Sequence, residues 1–444
     1  MNRRDPEPRF TVIIPTKDRA PYLRHTLRTC AMQDYENLDV VVADDGSTDE
    51  TREVVEEARR RDPRIRYVAN TTVPGMLGNF EFALDQVKPG YVLALGGDDG
   101  LMPHGIRGMW ETLSETGKEI CSWPAPAYFY EGVRMPMAQL VVHIHRGKPY
   151  TGTRIISSRT FLERQARELN YVADIESPMF YVKAVTSTAL VDRVRGRTAG
   201  GRFYSCATPD GYSGIVLAGE VESYAFSGMP YSLHGVSPTS AGVNYLAASE
   251  QARRQSEAFF KSVSDRPMHR ELGSQPYSPL IALMTADYLL TCGDLPGWPG
   301  VLPPVDYRSL LVQSLAELQD GLLSASRVTR ELRILNGVAE HHGLGNFFRA
   351  RVRASHRNTR RALEGNAVSP KRLYIDGSKF GIRDVVDAGY FAYYAHSMSG
   401  GLTGATIWKT LANSARYRLR SIERGAAFPP ESEWTAEASN EAAP

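Results

Sequence analysis

The chain has 444 residues, 42% hydrophobic and 23% charged, which excludes a disordered or fibrous polypeptide and exceeds one ordinary domain. Its formal charge of +2 is unevenly spread: Arg327–Arg424 holds 18 Lys/Arg against 7 Asp/Glu, so the rest of the chain is acidic. No run reaches the roughly 18–20 mainly apolar residues of a membrane-spanning helix; the nearest, Ala388–Trp408, is rich in Gly, Tyr, Ser and Thr.

The N-terminal MNRRDPEPRFTVIIP lacks the apolar core of a secretory signal, and Cys30, Cys121, Cys206 and Cys292 form no CxxC pair. A reducing, cytoplasmic setting is therefore expected, with neither disulfides nor a zinc site.

FTVIIP, Phe10–Pro15, is a short β-branched run stopped by proline. APYLRHTLRTCAMQ has helical apolar spacing, and LDVVVADD, Leu38–Asp45, is a second buried strand. In STDETREVVEEARRRD, Ser47 or Thr48 is positioned to cap a helix with acids in its first turn. IRYVAN is a third strand, MLGNFEFALDQV a third helix and YVLALGG a fourth strand. Apolar strands alternating with amphipathic helices predict an α/β fold, a mostly parallel central sheet with helices on both faces.

From Pro124 to about Tyr245 the pattern mixes short strands with many Gly and Pro. From residue 246 it is mainly helical, with SPLIALMTADYLLTC and YRSLLVQSLAELQDGLLSASRVTRELRIL both helically spaced. Residues 426–444, rich in Pro, Glu and Ala, read as a disordered tail. The expected division is 1–245, 246–425 (basic from 327) and 426–444.

Parallel sheets bind ligands at the carboxyl ends of their strands. Three polar clusters fall there: PTKDR after the first strand, ADDGSTD after the second, GGDDG after the fourth. Taken singly, DDGS is a helix-capping loop and GGDDG a solvated turn. Three clusters at one sheet edge instead imply one site. Hard divalent cations take oxygen ligands, and Mg²⁺ often takes one or two carboxylates plus substrate phosphates.

The residues TVIIPTKDR, VVVADDGSTDET, LGNFEFALDQVKPGYVLALGGDDGLMP and TPDGYSGIVLAG resemble the inverting family 2 glycosyltransferases, which have the GT-A fold. The resemblance spans about residues 8–245 and is strongest over 10–103. It implies nucleotide-flanking roles for Pro15, Thr16 and Asp18, and a base or ribose contact from Asp44 or Asp45. It also matches Asn79 to the family's Asn ahead of the metal strand. Mg²⁺ or Mn²⁺ would sit at the GGDDG turn. Where the family commonly has Asp-X-Asp, this chain has Gly96 at the first position. By analogy Asp99 is then the direct ligand, and Asp98 contacts ribose or the second ligand layer.

Inversion needs a base for the acceptor hydroxyl. Asp210, after Pro209 and before a helical run, is the candidate; Asp174 and Glu176 are runners-up, and His234 is a lesser candidate for the phosphate site. A helix N-cap role for Asp210 is compatible with that of a base. The implied partners are a UDP- or dTDP-sugar and a saccharide or lipid-linked acceptor, in polysaccharide or glycoconjugate synthesis.

The six arginines of RARVRASHRNTRR, Arg349–Arg361, read first as a solvated helix face. Secondarily they read as an attachment to an anionic inner leaflet. They lack the interleaved aromatics of a single-strand nucleic-acid site. TIWKTLANSARYRLRSI, Thr406–Ile422, reads as a packing or membrane-surface segment. Two competing readings are a nucleotidyltransferase, disfavoured by the absence of a Gly-rich loop after the first strand, and a non-catalytic scaffold on the same fold.

Overall fold

The computed structural model describes residues 7–72, 75–133, 139–145, 148–240, 242, 245, 250–319, 323–355, 357–360, 372–397, 422–426 and 428–435. The first hundred residues follow the expected alternation: β1 (Phe10–Thr16), α1 (Ala20–Ala31), β2 (Leu38–Asp44), α2 (Thr51–Arg61), β3 (Ile65–Ala69), α3 (Gly75–Leu84) and β4 (Tyr91–Ala94). There follow β5 (Gly100–Leu101), α4 (Gly105–Thr116), β6 (Ile120–Ser122), β7 (Ala127–Phe129), β8 (Leu140–His145), β9 (Lys148–Pro149), β10 (Thr153–Ser157) and α5 (Ser158–Glu168). Then come β11 (Ala184–Ser187), α6 (Thr188–Arg195), α7 (Asp210–Gly219), β12 (Ser223–Ser227) and β13 (Ser232–Val236).

The main sheet has eight strands in the order β10-β12-β6-β11-β4-β1-β2-β3. β3, β2, β1 and β4 are mutually parallel; β11 enters antiparallel between β4 and β6. This is the α/β arrangement expected from the sequence. Side chains alternate across it. Val12, Ile14, Val40 and Val42 pack with Leu23 and Leu27 of α1 and Val55 of α2. Ile13, Val41 and Ala43 face α3, α5, α6 and α7 on the other side.

α2 begins later than the sequence suggests, at Thr51 rather than after Ser47 or Thr48. Asp49 is the reason. Its Oδ1 accepts from the Thr51 amide at 3.0 Å, while its Oδ2 accepts from the Ala20 amide of α1 at 2.9 Å. Ser47 and Thr48 are freed for contacts with the loop after β1.

A second sheet runs in the order Arg372–Ile375, β8, β7, β13, β5, with β9 paired to β8. The helix Val385–Ser397 packs on it through Val385, Ala388 and Ala392. Late residues therefore complete a layer begun in the first half. Helices Ile281–Gly293, Tyr307–Gln319, Ala325–His341 and Gly345–Arg353 extend the core that α7 belongs to. The long helical run from Tyr307 is two helices, the second capped by the Ser324 hydroxyl.

Residues 428–435, which composition assigns to a disordered tail, pack instead. Trp434 is 1% exposed beside Phe348, and Glu431 pairs with Arg353 at 3.0 Å and Arg349 at 3.6 Å. A buried indole outweighs the polar composition around it. Arg349 and Arg353 thus bind the chain's own acids, which the solvated-face and leaflet readings did not foresee. The side chains at 357–361 and the stretch 406–421 lie outside the described residues, as do 436–444. All four cysteines are buried and free, and no described helix is long and apolar enough to cross a membrane.

Candidate active site

Register places the clusters side by side. Thr16 is level with Asp44, the Asp45 amide donates to the Thr16 carbonyl at 3.0 Å, and the Leu95 amide donates to the Ile13 carbonyl at 2.9 Å. The ends of β1, β2 and β4 therefore form one edge.

The loop after β1 is clamped to the loop after β2. Asp18 holds a left-handed backbone (φ +50°), its amide donates to Ser47 Oγ at 2.8 Å, and its Oδ1 accepts from the Thr48 amide at 2.7 Å. Asp44 is fully engaged as well. Its Oδ1 accepts from the Ser47 amide and hydroxyl, and its Oδ2 accepts from the Tyr67 hydroxyl at 2.7 Å. Asn79, 2% exposed, donates to the Ala43 carbonyl at 2.8 Å and so fixes the end of β2. Pro15 is half-buried beside them.

Between Asp44 and Asp45, the structure separates what the sequence leaves open. Asp45 lies 3.7 Å from Lys17 Nζ, and burial raises its pKa against the lowering effect of that lysine. Its Oδ1, together with Thr16 Oγ1 and Asn79 Oδ1, is buried with no hydrogen-bond partner within the protein. Buried polar atoms are nearly always paired, and orphans mark places where a ligand or water completes the set. Three such atoms lie at this strand edge.

The acidic turn is built by tertiary contacts. Asp99 is 0% exposed. Its Oδ2 accepts from the Gly96 amide at 2.5 Å, and its Oδ1 accepts from the Gly235 amide at 2.8 Å with His234 Nδ1 at 3.1 Å. Asp98 Oδ2 accepts from the hydroxyls of Ser237 at 2.5 Å and Ser240 at 2.9 Å, with Arg19 Nη1 at 3.3 Å. Arg19 is held by the Ser237 hydroxyl at 2.8 Å and the Thr239 carbonyl at 2.8 Å. β13 supplies these partners because it lies against the turn: a Cβ on Gly235 would come within 1.7 Å of the Asp98 carbonyl oxygen.

Asp98 Oδ1 and Asp99 Oδ2 both lie beside Gly96. A Cβ on Gly96 would lie 3.0 Å from Asp98 Oδ1, 3.0 Å from Asp99 Oδ2 and 2.6 Å from the Tyr181 hydroxyl. Burial raises the Tyr181 pKa well above the usual value, and Asp99, Asp98 and Asp210 raise it further, so it is a neutral phenol. Asp98 Oδ1 and Asp99 Oδ2 thus both lie beside Gly96, and carboxylate oxygens are the ligands that a hard divalent cation takes.

Asp210 heads α7. The N-cap is Pro209, and no side chain caps the helix, so Asp210 is not the cap that the sequence allowed. Ser213 bridges the Asp210 carbonyl and the Phe180 amide, tying this helix end to the Tyr181 segment. Burial pushes the Asp210 carboxyl up to about 6; His234 lowers it and Asp99 raises it. Burial alone would lower His234, but its hydrogen bond to Asp99 and the charges of Asp99, Asp98 and Asp210 raise it overall. His234, a minor candidate in the sequence, thus contacts Asp99 and is coupled electrostatically to Asp210.

Asp174 and Glu176, the other base candidates, are consumed by ion pairs. Arg164 binds Asp174 at 2.7 Å and Glu176 at 3.0 Å, and Arg154 binds Glu176 at 3.0 Å. Sequence reasoning assigned no role to Arg19, Tyr181, Gly235, Ser237 or Ser240. The segment SLHGVSPTS holds a Gly and hydroxyls, but nothing local places it against GGDDG.

Comparison with known proteins finds similarity over the part of the chain that holds this edge. Residues 11–181 match the Glycosyl transferase family 2 model. The span covers β1 to the Tyr181 segment and includes the acidic turn.

Among curated proteins, the chain is 32% identical over 109 residues to the GalNAc(5)-diNAcBac-PP-undecaprenol beta-1,3-glucosyltransferase of Campylobacter jejuni, covering 24% of this chain and 35% of that one. It is 51% identical over 63 residues to the validoxylamine A glucosyltransferase of Streptomyces hygroscopicus, 14% of this chain and 15% of that one. The alignments with the first curated relatives span between 16% and 37% of those proteins' lengths. Among solved structures, S. aureus TarS superposes with a TM-score of 0.41 at 17% identity, over 83% of this chain and 59% of that one. The mannosyltransferase PcManGT of Pyrobaculum calidifontis, solved with GDP-Man and Mn²⁺, gives 0.36 at 15% identity, over 78% and 86%. Residues 11–181 thus resemble glycosyltransferase family 2.

Proposed function

We propose that this protein is a glycosyltransferase that moves a sugar from a nucleotide-diphosphate sugar to an acceptor hydroxyl with inversion, in polysaccharide or glycoconjugate synthesis. The observation that carries the reading is the placement of Asp98 Oδ1 and Asp99 Oδ2 beside Gly96, at the sheet edge that holds the orphaned acceptors of Thr16 and Asp45, with Asp210 coupled electrostatically to Asp99.

In this reading Thr16, Asp45 and Asn79 face the nucleoside, while Asp18 and Asp44 hold the two loops that frame it. Asp98 and Asp99 would hold Mg²⁺ or Mn²⁺, which when bound neutralises charge on the diphosphate leaving group. Arg19, held beside Asp98, adds a fixed positive charge at the same edge. Asp210 takes the proton from the acceptor hydroxyl as that oxygen attacks the anomeric carbon. With a pKa of about 6 it is largely ionised at neutral pH and still basic enough to accept the proton. The residues 1–245 form the donor-binding region in this reading, and the later helices and the strand Arg372–Ile375 shape the acceptor side. The acceptor is a saccharide or lipid-linked saccharide.

The test is a panel of UDP-, dTDP- and GDP-sugars with Mn²⁺ or Mg²⁺, reading released nucleotide and the anomer of the product. Transfer from one donor, with inversion and loss on chelation, is expected. If no nucleotide diphosphate is released from or bound with any donor, the reading is wrong.

A further inference from the structure

A position that lacks a side chain is occupied from elsewhere in this chain. Gly96 follows β4 in the acidic turn, and the space its Cβ would take is closed by the Tyr181 hydroxyl at 2.6 Å. Real Cβ atoms do not approach an oxygen so closely, so Gly96 and Tyr181 exclude any larger pairing. The same point is 3.0 Å from Asp98 Oδ1 and 3.0 Å from Asp99 Oδ2.

The backbone holds the hydroxyl there under strain. Val182 has φ +67°, a left-handed conformation rare for a β-branched residue. The Lys183 amide donates to the Tyr181 carbonyl at 2.9 Å across it, forming a three-residue turn. The Val182 amide donates to the Ala94 carbonyl at 2.8 Å, and Ser232 Oγ donates to the Val182 carbonyl, so β4 and β13 both pin the turn. The Tyr181 ring meets Phe80 and His234 edge-on, at 6.1 Å and 6.3 Å between centroids. Strain of this kind persists where the surroundings over-determine it, and it concentrates at functional sites.

We propose that Tyr181 is a donor-substrate binding residue: its hydroxyl takes the place of a side chain at position 96 and donates a hydrogen bond to the diphosphate of the nucleotide sugar. This rests on the nucleotide-sugar reading above and deepens it. A hydroxyl in place of a third carboxylate at this position offers a hydrogen-bond donor, which suits an anionic diphosphate, rather than one more cation ligand.

Two measurements test it. In the first, UDP and GDP are titrated by calorimetry into wild type and Tyr181→Phe, each with saturating Mn²⁺. The variant keeps the ring contacts, and its affinity for the diphosphate that wild type binds is expected to fall roughly tenfold, as for loss of one hydrogen bond to a charged group. With an active donor, KM should rise by a similar factor and kcat change less. Equal affinity in wild type and variant overturns the proposal, whereas no binding by wild type overturns the nucleotide-sugar reading itself.

The second measurement needs no ligand. Gly96→Ala is made in wild type and in Tyr181→Phe, and thermal denaturation is compared. The alanine should destabilise the wild type strongly and the Tyr181→Phe background much less, because the clash is with the hydroxyl. An equal shift in both backgrounds would show that the hydroxyl does not occupy the position-96 space and would overturn the proposal.

Discussion

Gly235→Ala is the perturbation on which the site geometry stands most exposed. The added Cβ would lie 1.7 Å from the Asp98 carbonyl oxygen and 3.2 Å from the Asp99 amide nitrogen. Carbon–oxygen contacts settle near about 3.3 Å, so β13 and the acidic turn must part by roughly 1.6 Å. Neither partner is a flexible side chain. Overpacking a fitted site costs about 1–3 kcal/mol, and more where backbone must move. The displacement also breaks the hydrogen bond from the Gly235 amide to Asp99 Oδ1, now 2.8 Å, adding about 1.5–3 kcal/mol for a charged acceptor. The total is about 3–6 kcal/mol. A misplacement of about 1 Å at reacting groups costs on the order of 100-fold in rate, so turnover should fall at least that far. Chemical denaturation and Mn²⁺-dependent nucleotide release are the assays. A Gly235→Ala protein with the wild-type midpoint and undiminished turnover would refute the account of how the turn is held.

Asp210→Asn should separate stability from activity. A carboxyl raised from 3.8 to about 6 binds protons more tightly when folded, so its stabilising share is complete below about pH 3.8 and lost as pH rises through about 6. At pH 7 the asparagine variant should therefore be as stable as wild type or more so, by about 1–3 kcal/mol, while turnover drops about 10²–10⁴-fold; a variant that keeps its turnover removes Asp210 as the base. The wild-type rate should also fall as pH drops below about 6, and a flat profile down to pH 5 would count against it. Asp384 behaves oppositely. Burial alone would raise it, but the His25 imidazole, 2.9 Å away, and local backbone amides lower it to about 2. Its contribution is present above about pH 4 and lost as pH falls towards 2, so His25→Ala should weaken stability at pH 6 and matter little near pH 2, read by denaturation at both values. Trp434→Ala should cost about 3 kcal/mol, because the indole is 1% exposed against Phe348; no change in the unfolding midpoint would place 428–435 off the core. Gly219→Ala should destabilise as well, since its Cβ would fall 1.9 Å from the Trp298 ring, and a wild-type midpoint would contradict that packing.

The strand–helix alternation of the first hundred residues is local, and the sequence alone determines it: β-branched runs stopped by Pro, Gly or Asp, separated by amphipathic repeats, can only stack as a sheet covered on both faces. The same pattern places PTKDR, ADDGSTD and GGDDG at one edge, because each follows a parallel strand. Local signals also carried Asp210 to the start of a helix.

Tertiary structure decided the rest. Asp44 and Asp45 are neighbours of identical type, yet one is tied to Ser47 and Tyr67 while the other keeps an orphaned oxygen, a difference set by β3 and by the fold of the loop. Asp174 stood in the sequence as a runner-up to Asp210, and only the fold shows that Arg164 closes on it. The hold on Asp98 and Asp99 comes from residues more than 130 positions away, because antiparallel β13 returns against β5 and only a glycine at 235 allows the approach. Trp434 was hidden by its polar neighbours for the same reason. Burial and hydrogen-bond saturation are properties of chain segments meeting in space, and local spacing carries no trace of which segments meet.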